Sequence, residues 1–388
     1  MDELLATTPR VLAPGHVRDA LVRAGIDAMS GVPCSLLTPL IDLAIADPDL
    51  RYLPATSEGE AVGIAAGAWL AGRRPAVILQ NSGLGNTVNP ITSLNDPFRI
   101  PLLLLVTWRG EPGKKDEPQH RLMGAITPDL LELMHVPQRR LEPVAATLDA
   151  TVAEAVAEAE RRGSPSALVI RKGVVDGAGT ATASPTKPGL GRTVDRRRHA
   201  GPQARIAALH TLLDALPDDA GVVATTGKTG RELFTLRDRE QHLYLVGAMG
   251  LASAVGLGAA HFGRRRIVVV DGDGAALMKL GNMATIGAMR PERLVHVLLD
   301  NGVHDSTGGQ ATVSGAVDFP RIATGCGYAT AQSCDDPQGL ADAMGDAIAS
   351  PGPHFLHMRI APGSIADLAR PTIAPADVAR RFRRFLTS

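Results

Sequence analysis

The residues of this chain best suited to chemistry are two short acidic clusters set among glycines. In the second half, Ile267-Val268-Val269-Val270 leads into Asp271-Gly272-Asp273-Gly274-Ala275, and Val295 to Leu299 leads into Asp300-Asn301-Gly302. Asp273 offers a hard anionic oxygen and Asn301 a neutral amide oxygen, while the glycines let backbone approach a ligand closely. Oxygen donors of that kind suit Mg²⁺ carrying a diphosphate, and no thiol stands nearby to favour a softer metal. In the first half, Thr56-Ser57-Glu58-Gly59-Glu60 opens a small-residue apolar stretch that runs to Gly67. A carboxylate at the mouth of such a helix either caps it or, shielded from water, exchanges a proton with a ligand. On the residues alone Glu58 and Glu60 both qualify.

Two near-motifs are rejected. Thr226-Gly227-Lys228-Thr229 lacks the P-loop glycine, since Val222 occupies the position five before Gly227. Gly247-Ala248-Met249-Gly250 follows a strand and opens a small-residue helix, but it lacks the GxGxxG spacing and an acidic ribose ligand at the usual distance.

Both clusters need strands to end beside one another. Strand-like runs cover Ala76 to Gln80, Pro101 to Thr107 and Ala167 to Arg171, alternating with helical stretches from Val17 onward. The same rhythm restarts at Ala204, with Gly221 to Ala224, Leu243 to Val246, Ile267 to Val270, Val295 to Leu299 and His354 to Ile360. Such alternation predicts parallel βα units in two doubly wound sheets, whose strand ends open on a common ligand-binding edge. The stretch 176–202 between them is rich in Gly, Thr, Pro and Arg and reads as an exposed linker, with Arg196-Arg197-Arg198 a solvated charge run.

Composition agrees with a compact α/β protein. The chain has 388 residues, 45% of them hydrophobic, room enough for two or three domains with cores of their own. Forty basic residues balance forty acidic ones and aromatics make up 3%, which argues against a nucleic-acid partner. Apolar runs are too short to span a bilayer, and the N-terminus lacks the pattern of a secretory signal, so no membrane association and a cytoplasmic location are expected. Cys34, Cys326 and Cys334 form neither a CxxC pair nor a zinc-like cluster.

The Gly272-Asp273-Gly274 element followed at the right distance by Asn301 resembles the signature of the thiamin-diphosphate enzyme family. Asp300 stands where that family most often has the first of two asparagines. Further stretches are similar to its phosphonopyruvate and sulfopyruvate decarboxylase group: Gly31-Val32-Pro33-Cys34-Ser35, Gln80 to Asn86, Lys115 to His120, Thr226-Gly227-Lys228 with Arg231 to Phe234, and Asn301 to Gln310. The resemblance implies an α/β fold of two doubly wound parallel-sheet domains of the thiamin-diphosphate-binding type. A pyrimidine-binding domain would cover 1–175 and a diphosphate-binding domain 203–388, joined by the linker 176–202 with no middle domain.

The same resemblance implies thiamin diphosphate and Mg²⁺ as cofactors, and Asp273, Asn301 and the carbonyl of Val303 as metal ligands. Thr226, Gly227, Gly247, Gly272, Gly274 and Ala275 would lie along the cofactor, with Met249 as the wedge that bends it. Glu58, nine positions before Gly67, takes the register of the activating acid, which relays a proton to the aminopyrimidine ring. The implied reaction is non-oxidative loss of CO2 from 3-phosphonopyruvate, giving phosphonoacetaldehyde. Sulfopyruvate decarboxylation, or cofactor binding without turnover, are the alternatives. Ser35, His120, His304, Ser306 and Gln310 are candidates for the substrate side, His120 also for catalysis, and Lys114, Lys115 and Arg121 could attract the dianion. The family's shared sites imply a homo-oligomer, at least a dimer.

Overall fold

The computed structural model describes residues 11–177, 189–199 and 201–388. The chain divides into two compact units, Met1–Trp69 with Arg73–Ser184, and Leu70–Gly72 with Pro185–Ser388.

The first unit holds six parallel strands: β1 (Ala28–Gly31), β2 (Tyr52–Pro54), β3 (Pro75–Gln80), β4 (Leu103–Trp108), β5 (Gln138–Arg140) and β6 (Ser166–Arg171), in the order β2-β1-β3-β4-β6-β5. Its central strands are apolar throughout because both faces are covered. The period of two assigns alternate residues to separate cores. Ala76, Ile78, Leu103, Leu105, Leu168 and Ile170 join one cluster, and Val77, Leu79, Leu104, Val106, Ala167 and Val169 the other. Helix Glu58–Leu70 contributes Ala61, Val62 and Ala65 to the second cluster.

The second unit has a seven-stranded parallel sheet of β7 (Arg192–Asp195), β8 (Gly221–Ala224), β9 (His242–Tyr244), β10 (Ile267–Gly272), β11 (Leu294–Asp300), β14 (Thr330–Cys334) and β15 (His354–Arg359). A small antiparallel pair, β12 (Val303–His304) with β13 (Gln310–Ala311), stands apart from it. The order is β7-β14-β15-β11-β10-β8-β9. Leaving out β7, this repeats the order of the first unit strand for strand.

Of the expected linker 176–202, residues 178–188 and 200 lie outside the described residues, and within the rest strand β7 stands where bare chain was expected. Its residues, Arg-Thr-Val-Asp, are mostly polar and pair with β14 through the backbone, so little apolar signal marks it in the sequence. Nor is the arginine run merely solvated. Arg196 pairs with Asp346, Arg197 with Asp195 at 2.6 Å, and Arg198 with Asp342 at 3.0 Å. Among the described residues no helix is long and apolar enough to cross a membrane.

Candidate active site

In the second unit the loops after β8, β10 and β11 leave the carboxyl edge together, β8 and β10 being the neighbours between which the strand order reverses. They enclose a cavity of about 190 Å³. Thr226, Gly227, Met249, Gly272, Asp273, Gly274, Ala275, Asn301, Val303, His304 and Ser306, all singled out from the sequence, line it. The glycines are what let the loops close on one another. Gly227 has φ +94°, and a Cβ on it would stand 2.9 Å from Ser306 Oγ. One on Gly274 would stand 2.5 Å from His304 Cε1 and 3.3 Å from Met249 Cε.

Asp273 opens the short helix Asp273–Met278 and is buried. It accepts a hydrogen bond from Thr312 Oγ1. Burial, followed by the nearby charge of Asp300, pushes its carboxyl above the ordinary value, against the Thr312 bond. Among the described residues no basic side chain forms an ion pair with it, so a cation there would relieve a buried charge. Asn301 donates from Nδ2 to Asp305 Oδ2 at 2.7 Å, and its Oδ1 accepts from the Val303 amide at 3.2 Å. The residues therefore fit an Mg²⁺–diphosphate group. A buried acid without a cationic partner, an amide oxygen and glycine-lined backbone face one cavity. Among the described residues no cluster of three or more His, Cys, Asp or Glu could hold a metal ion.

Asp300 points elsewhere. It is fully buried and accepts from His357 Nε2 at 2.9 Å and Ser314 Oγ at 2.8 Å, with Arg359 at 3.4 Å. Burial would raise its carboxyl, but those hydrogen bonds outweigh it and hold the group below its ordinary range. The acid in place of the family's first asparagine thus has hydrogen-bond partners of its own in His357 and Ser314.

Two expected residues stand outside the cavity lining. Gly247 lies in the loop before Ala248, whose φ is +51°. Gln310 is exposed and accepts from Thr307 Oγ1 at 2.8 Å. Conversely, Arg205, Lys228 and Asp305 line the cavity although the sequence reading gave them no role. Buried Arg205 pairs with Asp305 across a hundred positions of chain, which no local pattern announces.

In the first unit the carboxyl edge carries Glu58, Ser35 and His120. Glu58 is the first residue of its helix and is half-buried; its Oε2 accepts from Asn86 Nδ2 at 2.8 Å. Glu60 is fully buried and turns back on the chain. It accepts from the Thr56 amide at 2.6 Å and the Thr56 hydroxyl at 2.5 Å, while its own amide donates to Ser57 Oγ at 3.3 Å. That is a capping arrangement. His120 is buried in the turn Pro118–His120, with Nδ1 3.4 Å from Ser82 Oγ. Ser82 accepts from Gln80 Nε2 at 2.8 Å, and Cys34 Sγ lies 3.5 Å from Gln80 Oε1. Ser35, Lys114, Lys115 and Arg121 are exposed. Asp116 pairs with Arg109, which holds its carboxyl far below the usual range.

Family models agree with both halves. The N-terminal TPP binding domain of thiamine pyrophosphate enzymes matches residues 15–133, and the C-terminal TPP binding domain matches residues 225–358. A phosphonopyruvate decarboxylase of Streptomyces viridochromogenes is 51% identical over 95% of this chain and 93% of its own length. The chain belongs to the phosphonopyruvate decarboxylase family. Within these thiamine pyrophosphate enzymes, a sulfopyruvate decarboxylase of Methanosarcina acetivorans is more distant, at 30% identity over 95% of this chain and 96% of the relative. The family fold extends further. A Rhodococcus jostii thiamine diphosphate-dependent 4-hydroxybenzoylformate decarboxylase superposes with TM-score 0.70 at 13% identity, covering 91% of this chain and 99% of that one. Two parallel-sheet α/β domains without a middle domain are therefore the architecture of this phosphonopyruvate decarboxylase family member.

Proposed function

We propose that this protein decarboxylates 3-phosphonopyruvate to phosphonoacetaldehyde and CO2, using thiamin diphosphate and Mg²⁺. The observation that carries this reading is the 51% identity to a phosphonopyruvate decarboxylase over nearly the whole chain. Asp273, the Asn301 side-chain oxygen and the Val303 carbonyl would hold Mg²⁺ and through it the diphosphate. Backbone at Thr226, Gly227, Gly272, Gly274 and Ala275 would lie along the cofactor, with Gly247 on its pyrimidine side and Met249 beneath it. When bound, thiamin diphosphate supplies the electron sink for the pair released as CO2 departs.

Glu58 would hold the proton exchanged at the cofactor's ring nitrogen, and its place at a helix mouth beside Gly83 keeps its carboxyl near backbone rather than in open water. His120 turns Nδ1 to Ser82, which leaves Nε2 for a substrate or a proton. Ser35, His304, Ser306 and Gln310 complete the groups proposed to meet a keto acid bearing a dianion. Retention of Glu58, Asp273 and Asn301 together speaks for turnover rather than for a binding-only role.

Initial rates with phosphonopyruvate, sulfopyruvate and pyruvate, at saturating thiamin diphosphate and Mg²⁺, test the substrate. Phosphonopyruvate is expected to give the highest kcat/KM; a preference for sulfopyruvate would overturn the reading. The same proposal includes a homo-oligomer in the cytoplasm. Glu58 belongs to the first unit and the proposed metal ligands to the second, and in at least a dimer one chain's Glu58 can serve another chain's cofactor. Co-expressed Glu58→Gln and Asp273→Ala chains, each inactive alone, should then regain partial activity in mixed oligomers. Verified mixed oligomers without activity would reject shared sites.

A further inference from the structure

An asparagine side chain has two ends of nearly the same shape, one an acceptor and one a donor, and only the oxygen can bind a cation. Something must decide which end of Asn301 is which. Asp305 does so geometrically, because an ionised carboxylate only accepts: Asn301 Nδ2 donates to Asp305 Oδ2 at 2.7 Å, which sets Oδ1 at the other end, where it accepts from the Val303 amide at 3.2 Å and keeps a second lone pair for a cation. Asp305 is itself held from two distant parts of the chain. Buried Arg205 donates to the same Oδ2 at 2.5 Å, and the Gly363 amide donates to Oδ1 at 3.1 Å. Arg205 is fixed in turn by a bond to the Gly363 carbonyl at 3.1 Å and lies 3.5 Å from Glu232.

We propose that Asp305, anchored by Arg205, is a positioning residue that sets the Asn301 amide with its oxygen available to the metal. This inference rests on the reading of Asn301 as a metal ligand. The class of ligand concerned is a hard divalent cation, and the role is one of orientation: Asp305 supports a ligand without being one.

Mn²⁺ serves as the probe, titrated into the thiamin-diphosphate-loaded protein without substrate and read as the loss of the free-ion paramagnetic resonance signal. Asp305→Asn can present a donor where the acceptor stood, and should weaken Mn²⁺ binding by about 10-fold or more, as disruption of outer-shell partners does. In an Asn301→Asp background both ends of the side chain at position 301 are oxygens, so orientation no longer matters. There, Asp305→Asn should leave Mn²⁺ affinity unchanged or tighten it, since the introduced amide would donate to the introduced carboxylate and relieve two facing negative charges. A purely structural role for Asp305 would give the same loss in both backgrounds, and that result overturns the proposal, as does wild-type affinity in Asp305→Asn. Should Asp305→Asn fail to fold, Asp305→Glu, which keeps the charge but moves the acceptor, carries the same comparison. Asn301→Ala separates the two layers. Wild-type Mn²⁺ affinity in that variant removes Asn301 from the metal altogether, whereas loss there with none in Asp305→Asn refutes only the orienting role.

Discussion

A methyl group placed on Gly83 should silence the acid of the first unit without unfolding it. A Cβ on Gly83 would stand 2.3 Å from Glu58 Oε1 and 2.4 Å from both its Cδ and Cγ, where ordinary contact begins at 3.4 Å. To restore ordinary contact the carboxylate must retreat by about 1 Å, which disturbs the 2.8 Å bond from Asn86. A catalytic group misplaced by that much costs on the order of 100-fold in rate, or about 2.7 kcal/mol of barrier. The backbone does not resist the change, because Gly83 has φ −79° and ψ −9°, values any residue adopts. Gly83→Ala should thus melt within a few degrees of the wild type and bind thiamin diphosphate normally, yet show kcat/KM for phosphonopyruvate reduced about 100-fold. On a Glu58→Gln background the methyl should add little, since its target is already inert. Wild-type kcat/KM in a variant shown by crystallography to have moved Glu58 would refute the argument, and so would additive losses in the double variant.

Asp273→Ala should abolish tight thiamin diphosphate binding in calorimetric titration with Mg²⁺ present, because the buried anionic ligand is gone. Glu58→Gln should bind cofactor and turn over very slowly, while Glu60→Ala should keep most of its activity and lose about 1 kcal/mol of stability with its helix cap; interchanged phenotypes would reverse the assignment of the two acids. Burial, helped by Arg239, lowers the imidazole of His242 to about 3 from 6.5. Between those values the unfolded chain binds the extra proton, so stability present above about pH 6.5 is lost as pH falls toward 3, by up to about 1.4 kcal/mol per unit. Urea unfolding across that window should show a flatter acid limb for His242→Gln than for the wild type.

What the sequence revealed and what it hid divide along physical lines. Strands β3, β4, β6, β10 and β11 were legible because both faces are buried and their apolar runs are nearly continuous. Strand β14, Thr-Ala-Gln-Ser-Cys, and the edge strands β5 and β7 carry too many polar residues to be told from loop. The cavity residues were legible where glycine and a hard oxygen donor share a strand end, as at Gly272-Asp273-Gly274 and Asn301. Choosing Glu58 over Glu60 took the register of a resemblance; the structure adds the reason Glu60 is occupied elsewhere, in its bonds to Thr56. Thr312 on Asp273 and Arg205 on Asp305 escaped notice because each contact joins residues 39 and 100 positions apart, and neither side chain belongs to a local pattern.

The wholly parallel character of both sheets also governs how this chain reaches its native state. Parallel neighbours cannot be joined by a tight turn, so each ladder must close a long stretch of intervening chain. Val77 pairs with Leu104, 27 positions on, and Leu104 with Ala167, 63 positions on. In the second sheet Val222 pairs with Val268 across 46 positions. Among the described residues neither of these two sheets holds a hairpin that could serve as an early local nucleus. Most pairing is therefore entropically costly before it becomes rewarding, and folding of each unit is expected to be slow for its size. During that interval the apolar central strands are exposed with open edges, which is the period when self-association competes with folding. Lowering temperature and synthesis rate during expression should therefore raise the soluble yield of this chain.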